Sequence, residues 1–184
     1  MFSSYLQLGF EHIIDVQGLD HVLFILSLCL SANSKSLKYL LVLVTAFTIG
    51  HSITLAASAF NILKLSSSMV ETAIPLTIIF SCLLNIYQEL KNSSAKANYL
   101  LVLIFGFIHG MGFSNFFRSI LGKEDSIVGP LFAFNIGVEL AQAAIVSFVF
   151  VILLILSKIF KSLKWINISG SIIIIALTIH LILS

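Results

Sequence analysis

Asp20 and His21 stand side by side at the start of an apolar run that continues through residues 22–30. An ionisable side chain entering lipid costs about 2.5–3.5 kcal/mol on insertion scales, so it needs a partner or a cavity. Further acids and imidazoles interrupt later apolar stretches: His51, Glu71, His109 and Glu139. His12 and Asp15 precede the pair, and His180 lies near the end. No apolar interior holds a Lys or Arg to neutralise Asp20, Glu71 or Glu139, which leaves a proton or an imported cation. Imidazole and carboxylate form an N/O donor set suited to nickel, cobalt, zinc or ferrous iron. Cys29 and Cys82 sit toward the opposite membrane face, which disfavours a soft thiolate site. Two cysteines without a CxxC also set up no disulfide framework.

Neighbouring residues extend the pattern. Asn135, Glu139 and Gln142 recur at i, i+4 and i+7, a polar stripe on an apolar helix. Thr48, His51 and Thr54 share a face, where a hydroxyl can orient the imidazole. Gly106 and Gly110 form a small-xxx-small pair that admits another helix closely. The expected inner metal ligands are Asp20, His21, His51 and His109, with Glu139 beside them and His12 at the entrance. Glu71, Asn135, Thr48 and Gln142 are expected to orient them or relay protons. Each also has a structural reading. His51, His109, Asn135 and Gln142 can bridge helices, and Glu71 can sit at a helix N-terminus and favour its dipole. His12 and Asp15 can be solvated, and His180 can be purely structural.

These residues need elements to hold them in lipid. The chain has 184 residues, of which 59% are hydrophobic and 10% charged, with mean hydropathy +1.10. A soluble domain carries about 25% charged residues, so the fold class is an all-α, polytopic membrane helix bundle in a single domain, 1–184. A span takes about 20 apolar residues. Six are expected, at about 18–32, 37–60, 68–91, 97–120, 129–157 and 162–184. A short amphipathic N-terminal helix at about 3–16 lies at the interface or folds into the bundle. No basic leader or cleavage site suggests a removable signal peptide. A net charge of +2 without a basic block excludes nucleic acid as the natural partner. Seven Lys in the first, third and fifth loops, against three Lys/Arg in the others, place both termini outside. The acids and histidines then fall between the outer interface and the midplane, and the cytoplasmic halves read as almost wholly apolar.

Several segments carry a family resemblance. They are Phe10-Glu11-His12-Ile13, Gly18-Leu19-Asp20-His21-Val22-Leu23-Phe24, and residues 45–55 around Thr48, His51 and Thr54. Val70-Glu71, residues 105–114 around His109, and Phe134-Asn135 through Glu139 to Gln142 complete the set. From about Gly9 to Gln142 the chain resembles the HupE/UreJ family of small membrane proteins. The resemblance implies a bacterial cytoplasmic-membrane protein that permeates nickel or cobalt in connection with hydrogenase or urease maturation. A maturation partner or a homo-oligomer would accompany it. Seven residues separate His12 from the Asp20-His21 pair, more than in the transporting branch, and the fourth helix offers His109 without a second His. Two other readings stay open. One is an intramembrane hydrolase with Zn(II) on the same cluster and Glu139 or Glu71 as general base. The other is a non-catalytic partner subunit. A polar path continuing inward favours transport; a closed three-ligand site favours hydrolysis.

Overall fold

A computed structural model describes residues 2–15, 18–31, 36–60, 62–63, 66–92, 99–121 and 127–183, with the backbone alone at 67, 114–116, 118 and 121. Among these, seven α-helices and no strands occur: α1 Phe2–Ile14, α2 Leu19–Ser31, α3 Leu37–Ala59, α4 Ser67–Leu90, α5 Tyr99–Leu121, α6 Val128–Ile159 and α7 Lys164–Leu183. Four of them, α3, α4, α6 and α7, are long and apolar enough to cross a membrane. The expected first span is different. α2 has 13 residues, about 20 Å at 1.5 Å per residue, too short to cross alone. It passes as a span only together with α1, from which it is bent by 67°. α5 is apolar over Tyr99–Phe113. The N-terminal helix does not lie apart from the bundle; it packs chiefly on α6.

Close contacts fix the direction of each helix. α3 and α5 run parallel, because Gly106 lies against the Phe47 carbonyl and Gly110 against His51 and Thr54. α6 runs antiparallel to α3, pairing Ser52 with Asn135 and Thr45 with Glu139. α4 and α7 are antiparallel, since Glu89 near the end of α4 meets Asn167 near the start of α7. Small residues make these approaches possible. A Cβ on Gly106 or Gly110 would collide with α3 backbone, and one on Gly9 or Gly137 would collide across the α1–α6 contact. The core between the helices is aromatic and aliphatic, with Phe24, Phe47, Phe117 and Phe134 among its largest fully buried side chains.

The two ends of the bundle differ in charge. Lys38, Lys91, Lys158, Lys161 and Lys164 lie at the ends of α3, α4, α6 and α7 that gather on one side. Asp20, Glu71 and the start of α2 lie on the other. Lys35, Lys64, Lys96 and Lys123, which entered the orientation count, and the Arg118 side chain lie outside the described residues.

Gly110→Val puts two methyl groups where backbone already stands, and overpacking of this kind costs about 1–3 kcal/mol. Thermal unfolding in detergent is expected to show a clearly lower Tm than wild type. Gly129→Ala, where a Cβ meets nothing within 4 Å, is expected to melt as wild type. A Gly110→Val protein melting at the wild-type temperature would contradict the parallel α3–α5 contact.

Candidate metal centre

Four of the five histidines converge from four helices: His12 at the end of α1, His21 in the first turn of α2, His51 in α3 and His109 in α5. His51 is fully buried, and His21 and His109 are almost so. The His21 ring lies 4.7 Å from that of His12, 5.7 Å from His51 and 5.3 Å from His109, centroid to centroid. Two sets of donors arise, His12–His21–His51 and Asp20–His21–His109, each with its ligand atoms within 4.8 Å of one another. His21 belongs to both. A metal–imidazole bond of about 2.0–2.1 Å sets neighbouring nitrogens roughly 3.3 Å apart in a tetrahedron. Modest ring rotations therefore close either set onto one ion.

Hydrogen bonds decide which nitrogens face inward. Asp20 Oδ1 accepts from the His21 backbone N–H at 2.8 Å and from its ring Nδ1–H at 2.9 Å. A carboxylate oxygen can only accept here, so Nδ1 carries the proton and Nε2 keeps its lone pair. That Nε2 is buried without a partner. His109 is arranged likewise with its nitrogens exchanged. Thr77 gives its hydroxyl proton to the Ile74 carbonyl at 2.7 Å, so at 3.0 Å it accepts from His109 Nε2–H. His109 Nδ1 is then the free donor atom, again buried and unpartnered, as are His12 Nε2 and both nitrogens of His51. The tautomers follow from this network. For His21 and His109 the pattern is the one by which proteins preset imidazoles for a metal, an outer acceptor holding the N–H.

Aromatic rings line much of the rest of the box. The Phe47 ring lies 5.0 Å from His109 and 6.0 Å from His21, Phe24 lies 5.3 Å from His109, and Phe113 lies 3.8 Å from His12. On one side a recess of about 610 Å³ reaches Asp20 between α2, α4 and α7, lined also by Glu71, Ser68, Thr72, Pro75 and Thr178. Pro75 has no N–H to give the Glu71 carbonyl one turn earlier. The recess thus offers carboxylate and carbonyl oxygen to a cation.

The expected site residues divide accordingly. His12, Asp20, His21, His51 and His109 come together, with Asp20 also holding the His21 N–H. Glu139 stands apart from both donor sets: its Oε1 is 2.6 Å from Thr45 Oγ1 on the α3–α6 flank. Thr48 faces Gln142 at 2.9 Å, and Ser52 faces Asn135 at 2.7 Å, on the same flank. Glu71 is exposed at the recess and His180 is exposed on α7. Thr77 and the three phenylalanines Phe24, Phe47 and Phe113 were not singled out by sequence; His109 at mid-helix gave no sign of which helix would supply its acceptor.

Apolar helices around a buried imidazole cluster define a helical membrane protein with residues grouped so that they could hold a metal ion. The whole chain, residues 1–184, matches the family described as HupE / UreJ protein. It therefore belongs to the HupE/UreJ family. No curated protein and no solved structure matches it.

Thr77→Val removes the acceptor of the His109 N–H, and loss of such an outer partner typically weakens a metal about 10–100-fold. Titration of Ni(II) into detergent-solubilised protein is expected to show that loss, with Thr77→Ser close to wild type. Equal affinity in Thr77→Val would remove Thr77 from the site.

Proposed function

We propose that the chain is a divalent-metal permease whose cargo is nickel or cobalt. The observation that carries this reading is the convergence of four histidines whose inward nitrogens lack any partner, with His21 common to both donor sets. Family membership supports the choice of cargo, and N/O donors without thiolate suit these ions. The recess lined by Asp20 and Glu71 supplies an approach with two acids and no basic side chain along its lining. Cys29 and Cys82 are buried away from the donor sets and remain fillers.

In the proposed topology the chain crosses a bacterial cytoplasmic membrane six times, with bent α1–α2 together making the first crossing. The lysine-rich end faces the cytoplasm by the positive-inside rule, so the histidine end and both termini face outward. The metal enters from outside, loses water in the recess and is caught by imidazoles. Its physiological destination would be the maturation of a nickel enzyme such as a hydrogenase or urease.

The hydrolase reading is weaker. A metal hydrolase needs a general base within hydrogen-bond reach of the metal-bound water. Glu139 is engaged with Thr45 on another flank, Asp20 already accepts two N–H groups from His21, and Glu71 is exposed in the recess. No carboxylate is left in that position among the described residues.

Purified protein reconstituted into liposomes is expected to take up Ni(II) or Co(II), and His21→Ala is expected to abolish uptake because it breaks both donor sets. Wild-type uptake equal to that of empty liposomes would sink the permease reading. Metal-free protein on elemental analysis, unchanged in stability by chelator, would favour a non-catalytic partner subunit instead.

A further inference from the structure

The half of the bundle beyond the histidines is not uniformly apolar. Below His109, α4 carries Thr77, Ser81, Asn85 and Glu89 at intervals of four, one face of the helix. The first three are buried. α2 and α7 add polar groups to the same face. Ser27 Oγ lies 3.0 Å from Ser81 Oγ, Asn85 Nδ2 donates to the Ser27 carbonyl at 2.8 Å, and Asn167 Nδ2 donates to Glu89 Oε1 at 2.6 Å. Glu89 lies twelve positions past Thr77, about 18 Å at 1.5 Å per residue. The stripe therefore begins at the acceptor of a cluster histidine and ends at the lysine-rich face. Glu89 is the only carboxylate at that face among the described residues. α3 and α6 carry polar pairs too, Thr45 with Glu139 and Thr48 with Gln142, but these lie at mid-helix and do not reach the lysine-rich face.

We infer that the Ser81–Asn85–Glu89 stripe of α4, with Ser27 and Asn167, is the inward path of the metal ion, and that Glu89 is its exit station. The inference rests on the permease reading. Hydroxyl, amide and carbonyl oxygens bind nickel or cobalt more weakly than imidazole does. A descending series of this kind lets an ion leave a tight site, since conduction requires sites weak enough to be vacated. These groups satisfy one another by hydrogen bonds across α2, α4 and α7, as polar side chains do between membrane helices, and together they form a continuous polar line from the cluster to the lysine-rich face. Asn167 holds Glu89 in place, and Lys164, bonded to Asn92 Oδ1 at 3.0 Å, keeps its ammonium off that carboxylate.

The test uses the full chain, with radiolabelled Ni(II) uptake into liposomes and equilibrium Ni(II) binding in detergent measured on the same preparations. Asn85→Leu and Glu89→Gln are expected to slow uptake at least tenfold while binding affinity stays within twofold of wild type. Ser81→Ala, the mildest change, is expected to slow uptake at least threefold and keeps the test open should the others fail to fold. Wild-type uptake rates in the folded variants would overturn the path and leave the permease standing. Parallel loss of binding and uptake would also overturn it, making the stripe a support for the site. Wild-type protein that binds Ni(II) but does not move it would sink the permease reading itself.

Discussion

The structure depends on one costly arrangement: imidazole nitrogens buried in an apolar interior with nothing to bond. Each unsatisfied buried polar group costs about 1–3 kcal/mol, and five such nitrogens belong to His12, His21, His51 and His109. A bundle under no functional demand would replace them with leucine or turn them toward a carbonyl. Here Asp20 and Thr77 occupy the outward nitrogens of two rings, which preserves the inward lone pairs. The arrangement makes physical sense when a cation supplies the missing partner of one lone pair on each ring, four of the five nitrogens.

Helix packing then has to hold four rings within reach of one ion. Gly106 and Gly110 let α5 touch α3, so His109 and His51 sit on adjoining backbones instead of being held apart by side chains. Gly9 and Gly137 do the same for α1 and α6, and draw His12 into the group. Phenylalanine rings fill much of the remaining space. Asp20 stands between the recess and the imidazoles, so its charge faces both the approach and the cluster.

Much of this was legible in the sequence. Depth along apolar runs was enough to group Asp20, His21, His51 and His109, because an ionisable residue in lipid stands out against its neighbours; His12, on the amphipathic N-terminal helix, came in through the family motif and was expected at the entrance. Depth is one coordinate, however, and rotation about the helix axis is another. Glu139 lies within five residues of Phe134, which lines the cluster, yet it points to Thr45, because α6 presents one face to the histidines and a different one to α3. The stripe on α4 escaped notice for a related reason: neutral Ser, Thr and Asn spaced by four disappear in averaged hydropathy, and only packing of α2 and α7 against that face assembles them. The break at Gly18 and the helices on either side of it were legible, but α2 was expected to span alone, and its 13 residues reach span length only together with α1.

The most direct test of the imidazole site is X-ray absorption at the nickel edge on Ni(II)-loaded protein. The expected spectrum shows a nitrogen/oxygen shell with the multiple scattering of several imidazoles and no sulfur, and loses most of the imidazole signal in His21→Ala. A shell of water or carboxylate oxygens without imidazole, or one containing sulfur, would contradict a site built on His12, His21, His51 and His109.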